Sequence, residues 1–487
     1  MAIEYTDSYQ DADFITHGGN FHADDIFCIA LFEYLYDSIK VYRLKLEDEG
    51  LAKSLSHQTW FDIGGGSLDH HQKGGNGYHE ILSPGSKPIP FASFGLVWNK
   101  YGEMVCKKFF KKYELEFYYK NLINCAVDLI DRFLVRGIDA SDNGIFPMKP
   151  DIAFKDVKKV MDIRAVTISC IISVLNPDED EADDKENIGL HKAILFARQT
   201  LLTYLRKVEN SYIHSGNDKA KFLSPPVDSD YKRIVFEECR ELLGVENHKV
   251  EDNYSSDLFS QNELFNYWND IKDYFLEEAF GNEWQLAEKN VTSLMNGLCA
   301  EMDGINSFPK SSYDDVYFGS LKDIYGTRLN YYGENYEEDL KSTIRSLFNK
   351  VISEATIKIQ SAKIIKNAVL SQKGRILELP ERTYWKEIVL VMPEAQKFWF
   401  VILPTQTGLW KVCPIKSKRT KNGYRKGFPT TWRGLRREQL ESQKNIYGVH
   451  FIHNSGIMAL CDNKKSAIKL CKRAFGNTEN NIKNDCH

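Results

Sequence analysis

The sequence predicts an α/β protein with a mainly parallel sheet near the N-terminus, a mostly helical stretch, and a C-terminal α+β domain. Three observations predict it. Residues 11–105 alternate short apolar runs with helically spaced segments; residues from about 187 to 370 keep helical apolar spacing; and from Gly374 onward β-branched and aromatic runs return. The expected domains are 1–150, 151–363 and 364–487.

Taken in order, Ala12–Thr16 is a short apolar run followed by the Gly18-Gly19 pair, and reads as a strand. Ala23–Tyr36 has helical spacing, Ile39–Leu44 alternates like a strand, and Thr59–Ile63 is a short strand closed by Gly64, Gly65 and Gly66. A helix follows at Ala92–Tyr101. Strand, loop, helix, strand in this rhythm means βαβ units, whose ligands bind beyond the C-terminal strand ends, where His17 and Asp62 fall. Asp178–Glu186, with seven acids and one Lys, reads as a solvated loop. Ala193–Leu205, Glu263–Phe280 and Tyr336–Val351 read as helices, broken by Pro225, Pro226 and the Ser/Asp cluster near Ser255. Ile376–Leu379, Glu387–Val391 and Phe398–Leu403 read as strands, and Ser466–Phe475 as an amphipathic helix.

Composition excludes several classes. With 487 residues, 43% hydrophobic and 13% aromatic, the chain holds two to four domains with real cores and is neither disordered nor collagen-like. Ten cysteines without a CxxC pair read as reduced thiols, and Met1–Phe14 carries four acids and no Lys or Arg, unlike a secretory or transit leader. No run of ~20 uncharged apolar residues exists, so a cytoplasmic or intracellular location without a membrane span is expected. The net charge of −5 argues against a uniformly basic nucleic-acid coat, but it hides an asymmetry. Residues 401–487 carry 17 Lys/Arg against 5 Asp/Glu, and residues 1–400 carry 46 against 63.

Six of the twelve histidines lie in the first eighty residues. His17-Gly18-Gly19-Asn20-Phe21-His22-Ala23-Asp24-Asp25 forms one cluster, and Asp62 followed by Asp69-His70-His71-Gln72 forms another; each sits on a Gly-rich loop directly after a predicted strand. Imidazole and carboxylate together suit Mn²⁺, with Mg²⁺, Fe²⁺ or Zn²⁺ as alternatives. Two ions ~3.5–4 Å apart need a shared carboxylate and several ligands from different loops, a number these clusters supply. Asp139-Ala140-Ser141-Asp142-Asn143-Gly144 reads as a turn or helix end that could add one more carboxylate.

These motifs resemble the DHH phosphoesterase superfamily, which holds two metals on a doubly wound, mainly parallel domain. More closely, Thr16–Asp25, Asp62–Gln72, Phe94–Tyr101 and Asp139–Gly144 are similar to the melanocyte-proliferating-gene family of DHH-type exonucleases. Trp385-Lys386-Glu387, Phe428–Arg436 and Gly448–Gly456 resemble that family's C-terminal domain, and Leu175-Asn176-Pro177 is a fainter echo. The resemblance implies one metal on His17, His22 and Asp62, and a second on Asp24, Asp62, His70 and one of Asp139 or Asp142, with Asp142 preferred because it starts the Asp-Asn-Gly turn. It implies that His71 faces the scissile phosphate and that Asp69 and Gln72 fix the imidazoles. The expected chemistry is in-line attack by a water activated between the two metals, with Asp62 bridging them. Two departures stand out: Met458-Ala459-Leu460-Cys461 replaces a Gly-rich, Thr-containing turn, and Asp24-Asp25 replaces an Asp-Glu pair.

Lys411 to Arg437 holds ten basic residues and no acid, interleaved with Trp410, Tyr424, Phe428 and Trp432. Arg grips phosphate and aromatic faces stack bases, the chemistry of single-strand binding. Trp432, Arg433 and Arg436, joined by His450 and His453, are the expected substrate contacts. The resulting expectation is a metal-dependent 3′–5′ exonuclease on single-stranded RNA or short oligonucleotides. The alternatives are a small-substrate phosphoesterase acting on cyclic dinucleotides, oligonucleotides or pyrophosphate, and a non-catalytic scaffold. A homo-oligomer, or a protein partner docking on residues 187–360, fits the same sequence.

Overall fold

The computed structural model describes residues 2–6, 8–44, 58–71, 75–81, 86–145, 166–177, 183–214, 227–244, 261–302, 319–405, 407–417 and 423–476. They divide into two units, Met1–Gly281 with Glu288–Val351, and Asn282–Ala287 with Ile352–His487. The fold is mixed α/β with a parallel sheet and many helices.

Four short runs build the first sheet: β1 (Ala2–Tyr5), β2 (Phe14–His17), β3 (Ser38–Leu44) and β4 (Thr59–Trp60), in the order β1-β3-β2-β4 with every pairing parallel. Because β2 and β4 run the same way, the loops leaving His17 and Trp60 emerge at one edge. β4 is shorter than the expected Thr59–Ile63 because Asp62 takes a left-handed backbone with φ of 58°, which an extended strand cannot contain.

Between β2 and β3 runs α1 (Ala23–Tyr36), the span its apolar spacing predicted. Asp24 and Asp25 occupy its first turn, where the helix dipole favours negative charge, and Asp37 ends it in a left-handed cap. Ala23 through Glu33 are all buried, so this helix is enclosed on every side. Phe32 stacks on Phe14 of the sheet at 4.2 Å and Phe27 meets Phe94 of α2 (Ser93–Phe109) at 5.1 Å. Further along, α3 (Tyr119–Ile130) passes through a π-helical turn, Asp131–Val135, into α4 (Arg136–Asp142).

The helical part includes α5 (Ile168–Val174), α6 (Asp183–Glu209), α7 (Ser229–Leu242), α8 (Gln261–Phe280), α9 (Gln285–Met302), α10 (Leu321–Tyr325) and α11 (Tyr336–Ser371). Asp183–Glu186, expected as loop, instead begins α6; residues 178–182, Pro225, Pro226 and Ser255 lie outside the described residues.

The second unit has a mixed sheet of β5 (Ile376–Glu378), β6 (Phe400–Pro404), β7 (Trp410–Pro414), β8 (Val449–Ile452) and β9 (Ala459–Cys461), ordered β5-β6-β7-β9-β8. Alternation along β6 splits its core: Phe400 and Ile402 join Leu470 and Phe475 of α14 (Lys464–Phe475), while Val401 and Leu403 join residues of α11 and α12 (Trp385–Val391). The strand expected at Glu387–Val391 is therefore corrected to helix α12. Its β-branched residues suggested a strand, but Trp385, Ile388 and Val389 at i, i+3 and i+4 place one apolar face into that core. Among the described residues, nine cysteines are free and no helix is long and apolar enough to cross a membrane.

Candidate metal centre

The site is assembled from three loop ends of the first unit. β2 delivers His17 and the following loop delivers His22 to the start of α1, which adds Asp24 and Asp25; the segment after β4 delivers Asp62, Asp69, His70 and His71; and the end of α4 delivers Asp142. Among the described residues, three groups could hold a metal ion, with ligand atoms inside 4.8 Å of one another: His17, Asp25 and Asp62; Asp62, Asp69, His70 and His71; and His22, Asp24 and Asp142. Asp62 belongs to two of them. Its left-handed backbone is the kind of strain that persists where surrounding structure enforces it.

The grouping departs from the expected ligand sets at two residues. Asp25, which the motif reading had not assigned, stands with His17 and Asp62, and His22 stands with Asp24 and Asp142. Asp25 also accepts from the His22 backbone N–H at 2.8 Å. His70 Nε2 is 3.0 Å from Asp142 Oδ2, and its Nδ1 is 3.3 Å from Asp62 Oδ1. Asp139 is turned elsewhere: its carboxylate meets His79 Nε2 at 2.8 Å and accepts from Gly95 N–H at 3.0 Å. Of the two candidate acids in that motif, Asp142 is the one that stands with His22, Asp24 and His70. Asp69 accepts from the backbone N–H of Gly65 and His71 and lies 3.1 Å from His71 Nδ1, which orients that exposed ring at the rim. Gln72 lies outside the described residues.

Sequence reasoning missed Ser93. Its hydroxyl donates to Asp62 Oδ1 at 3.0 Å and its backbone N–H donates to Asp24 Oδ2 at 3.3 Å, so the N-terminus of α2 points at two carboxylates. The one available signal was a serine at a predicted helix start.

The electrostatics show a surplus of buried negative charge. Burial, with Asp62, Asp142 and Asp25 nearby, pushes the Asp24 carboxyl well above the ordinary range. Burial also raises Asp25. Burial opposes ionisation of Asp62, yet His17 and His70 outweigh it and hold that carboxyl low. Burial likewise works against a charged His17 and His70, but the facing carboxylates raise them to about 9 and about 10. Buried Oδ1 of Asp24 has no hydrogen-bond partner among the described residues, and Oδ2 of Asp25 makes no hydrogen bond but lies 3.5 Å from His17 Nε2. Nε2 of His17 and Oδ2 of Asp62 close on each other at 3.0 Å without hydrogen-bond alignment. Buried acceptors aimed inward without donors are what a divalent cation satisfies.

In the second unit, the segments around Trp432 and His450 meet: Gly434 N–H donates to Ile452 O at 2.8 Å, and Ile452 N–H to Leu435 O at 3.1 Å. Arg433 donates from Nε and Nη2 to Phe428 O, and its guanidinium lies over Gly456, where a Cβ would come within 2.7 Å of Nε. Arg436 caps α13 (Arg437–Lys444). His450 Nε2 lies 2.8 Å from Asp462, which also pairs with Arg437. His453 is exposed beside Ser455. Lys418, Arg419 and Lys421 lie outside the described residues.

Acids and histidines gathered past the C-terminal ends of β2 and β4 give this α/β protein a site that could hold a metal ion. The chain matches the MYG1_exonuc model, described as "Uncharacterised protein family (UPF0160)", over residues 13–260 and 325–475, and belongs to that family. It is similar to the MYG1 protein YER156C of Saccharomyces cerevisiae, 28% identical over 110 residues, which cover 22% of this chain and 32% of the relative. It is also similar to the MYG1 exonucleases of Bos taurus and Rattus norvegicus, 25% and 26% identical over 208 and 211 residues, each match covering 41% of this chain and 50% of the relative. The matches thus span a third to a half of the length of these curated relatives. No solved structure matches.

Proposed function

We propose that the chain is a metal-dependent phosphodiester hydrolase of the DHH phosphoesterase type, acting as a 3′–5′ exonuclease on single-stranded RNA. The observation that carries this reading is the set of buried carboxylate oxygens around Asp62 that make no hydrogen bond. Relatives named MYG1 exonuclease support the reaction class.

The donor set suits divalent ions, Mn²⁺ first and Mg²⁺ as the alternative. His17, Asp25 and Asp62 would hold one, and Asp24, His70 and Asp142 a second, with Asp62 shared and His22 at the rim. When bound, such ions neutralise a phosphodiester and lower the pKa of water. The protein's own residues supply the rest. Ser93 fixes Asp62 and Asp24 through the hydrogen bonds described above. With Nδ1 of His71 held by Asp69, its Nε2 is the ring nitrogen left to meet a phosphate oxygen or the departing 3′-oxygen. Trp432, Arg436 and His453 form the polymer-binding face, by stacking and phosphate contact.

The test is purified protein with Mn²⁺ on end-labelled RNA, DNA and dinucleotides, beside Asp62→Ala. A ladder from the RNA 3′ end, lost in the variant, supports the reading. Cleavage of dinucleotides alone would favour a small-substrate phosphoesterase, and no turnover with any metal would favour a scaffold.

A further inference from the structure

The loop that carries His22 is intrinsically loose. Gly18 and Gly19 give it wide conformational freedom, and fixing each residue costs about 1–2 kcal/mol. Something must hold it in place, and the structure shows what does. Asn176, 155 positions away in sequence, accepts from the Phe21 N–H on Oδ1 at 2.9 Å and donates from Nδ2 to the Phe21 carbonyl at 2.8 Å. One side-chain amide thus makes the pair of bonds that a neighbouring strand would make. Phe21 is fully buried between this clamp and Arg43, which donates to Gly19 O. The next residue, His22, gives its backbone N–H to Asp25, so the clamp acts one peptide away from two pocket residues.

Asn176 is itself braced. It follows α5, whose start is capped by Thr167 Oγ1 accepting from Cys170 N–H, and it precedes Pro177, which restricts its backbone. Gly189 of α6 lets that helix lie against Leu175: a Cβ there would come within 2.3 Å of the Leu175 carbonyl oxygen. A continuous strut therefore runs from α6 through Leu175-Asn176 to the loop between His17 and His22.

We propose that Asn176 is a positioning residue of the metal centre, holding the Gly18–His22 loop in its binding geometry before any ion arrives. The inference rests on the metal reading of the pocket. Only an amide serves both Phe21 groups: Ala offers neither bond, and Asp keeps the acceptor while setting a second acceptor against the Phe21 carbonyl.

The full chain, wild type and variant, is titrated with Mn²⁺ by calorimetry, following free Mn²⁺ by its paramagnetic resonance signal, with Tm recorded alongside. Asn176→Ala is expected to bind Mn²⁺ about 10-fold or more weakly, the scale of an outer partner of a metal ligand. The near-isosteric Asn176→Asp is expected to weaken binding similarly and carries the test should the alanine variant not fold. Asn330→Ala, which removes a 2.7 Å amide bond from Asn210 in the helical part, is expected to lower Tm without moving Mn²⁺ affinity. Wild-type affinity in both Asn176 variants, or an equal loss in Asn330→Ala, overturns the positioning role. A wild-type chain that takes up no Mn²⁺ overturns the metal reading itself, and this inference with it.

Discussion

Two acid–histidine clusters lie in the first unit, built from the same residue types, and they differ in one respect. Around His79 the network is closed: Nδ1 is 3.2 Å from Asp131, Nε2 is 2.8 Å from Asp139, Asp139 accepts from Gly95 N–H, and Arg136 donates to Asp131 and to Glu80 O. Around Asp62 it is open, with carboxylate oxygens of Asp24 and Asp25 buried and not hydrogen-bonded. A closed network rigidifies, because each of its carboxylate oxygens has a partner. An open one costs free energy until a cation arrives, so it persists where binding is the purpose. Residue type alone does not separate structure from function here; the count of satisfied atoms does.

The sharpest way to break this contrast is to substitute both centres. Asp24→Asn is expected to weaken Mn²⁺ uptake by more than the roughly 10–100-fold that an outer partner costs, while the metal-free protein keeps or gains stability, because burial already disfavours the charge on that carboxylate. His79→Ala should do the reverse. It takes the facing imidazole from the buried Asp139 and leaves Asp131 to Arg136 alone, and is expected to cost about 3–5 kcal/mol, read as a fall in the denaturant midpoint, with metal uptake retained. A variant pair that loses both properties together would merge the two clusters into one. A smaller effect follows by linkage: Mn²⁺ at about 100 times its Kd should stabilise wild type and His79→Ala by about 2.7 kcal/mol, and Asp24→Asn far less. Thermal unfolding with and without chelator checks this.

The same contrast explains what could be read from sequence. His17, His22, Asp24, Asp62, His70 and His71 were legible because they crowd two short Gly-rich loops after apolar runs. Asp25, Ser93, His79 and Asn176 were not, since each acts through a partner that only folding supplies: Ser93 reaches Asp62 across 31 positions and Asn176 reaches Phe21 across 155. The choice between Asp139 and Asp142 depends on which of two residues three apart in α4 faces His70 and which faces the Gly95 N–H, and spacing does not encode that. In the C-terminal unit, the run Glu387–Val391 has the composition of a strand, and the apolar face that makes it helical becomes visible only beside Phe398 and Val401. The fold of the first sheet was legible because strand and helix alternate at short range; the five-stranded order of the second was not, because β8 and β9 pair outside the sequence order of β5 to β7.

A buried carboxylate has a third option besides a metal or a histidine, which is to keep its proton. Glu301, at the end of α9, accepts from Lys322 N–H at 3.1 Å, and burial raises its carboxyl to about 7. The sign follows directly. The folded state holds this proton more tightly than an unfolded chain titrating near 4.5, so its contribution is complete below that pH and is lost as pH rises through 7. Between pH 5 and 7 the wild-type protein should lose stability through this group by at most about 1.4 kcal/mol per pH unit. Glu301→Gln, which stays neutral, should flatten that part of the profile in denaturant titrations of the metal-free chain. An unchanged slope would mean that Glu301 ionises inside the fold, and that unmatched buried acid is tolerated here without either metal or proton. In that case the open network at Asp62 would lose its standing as a signature of binding.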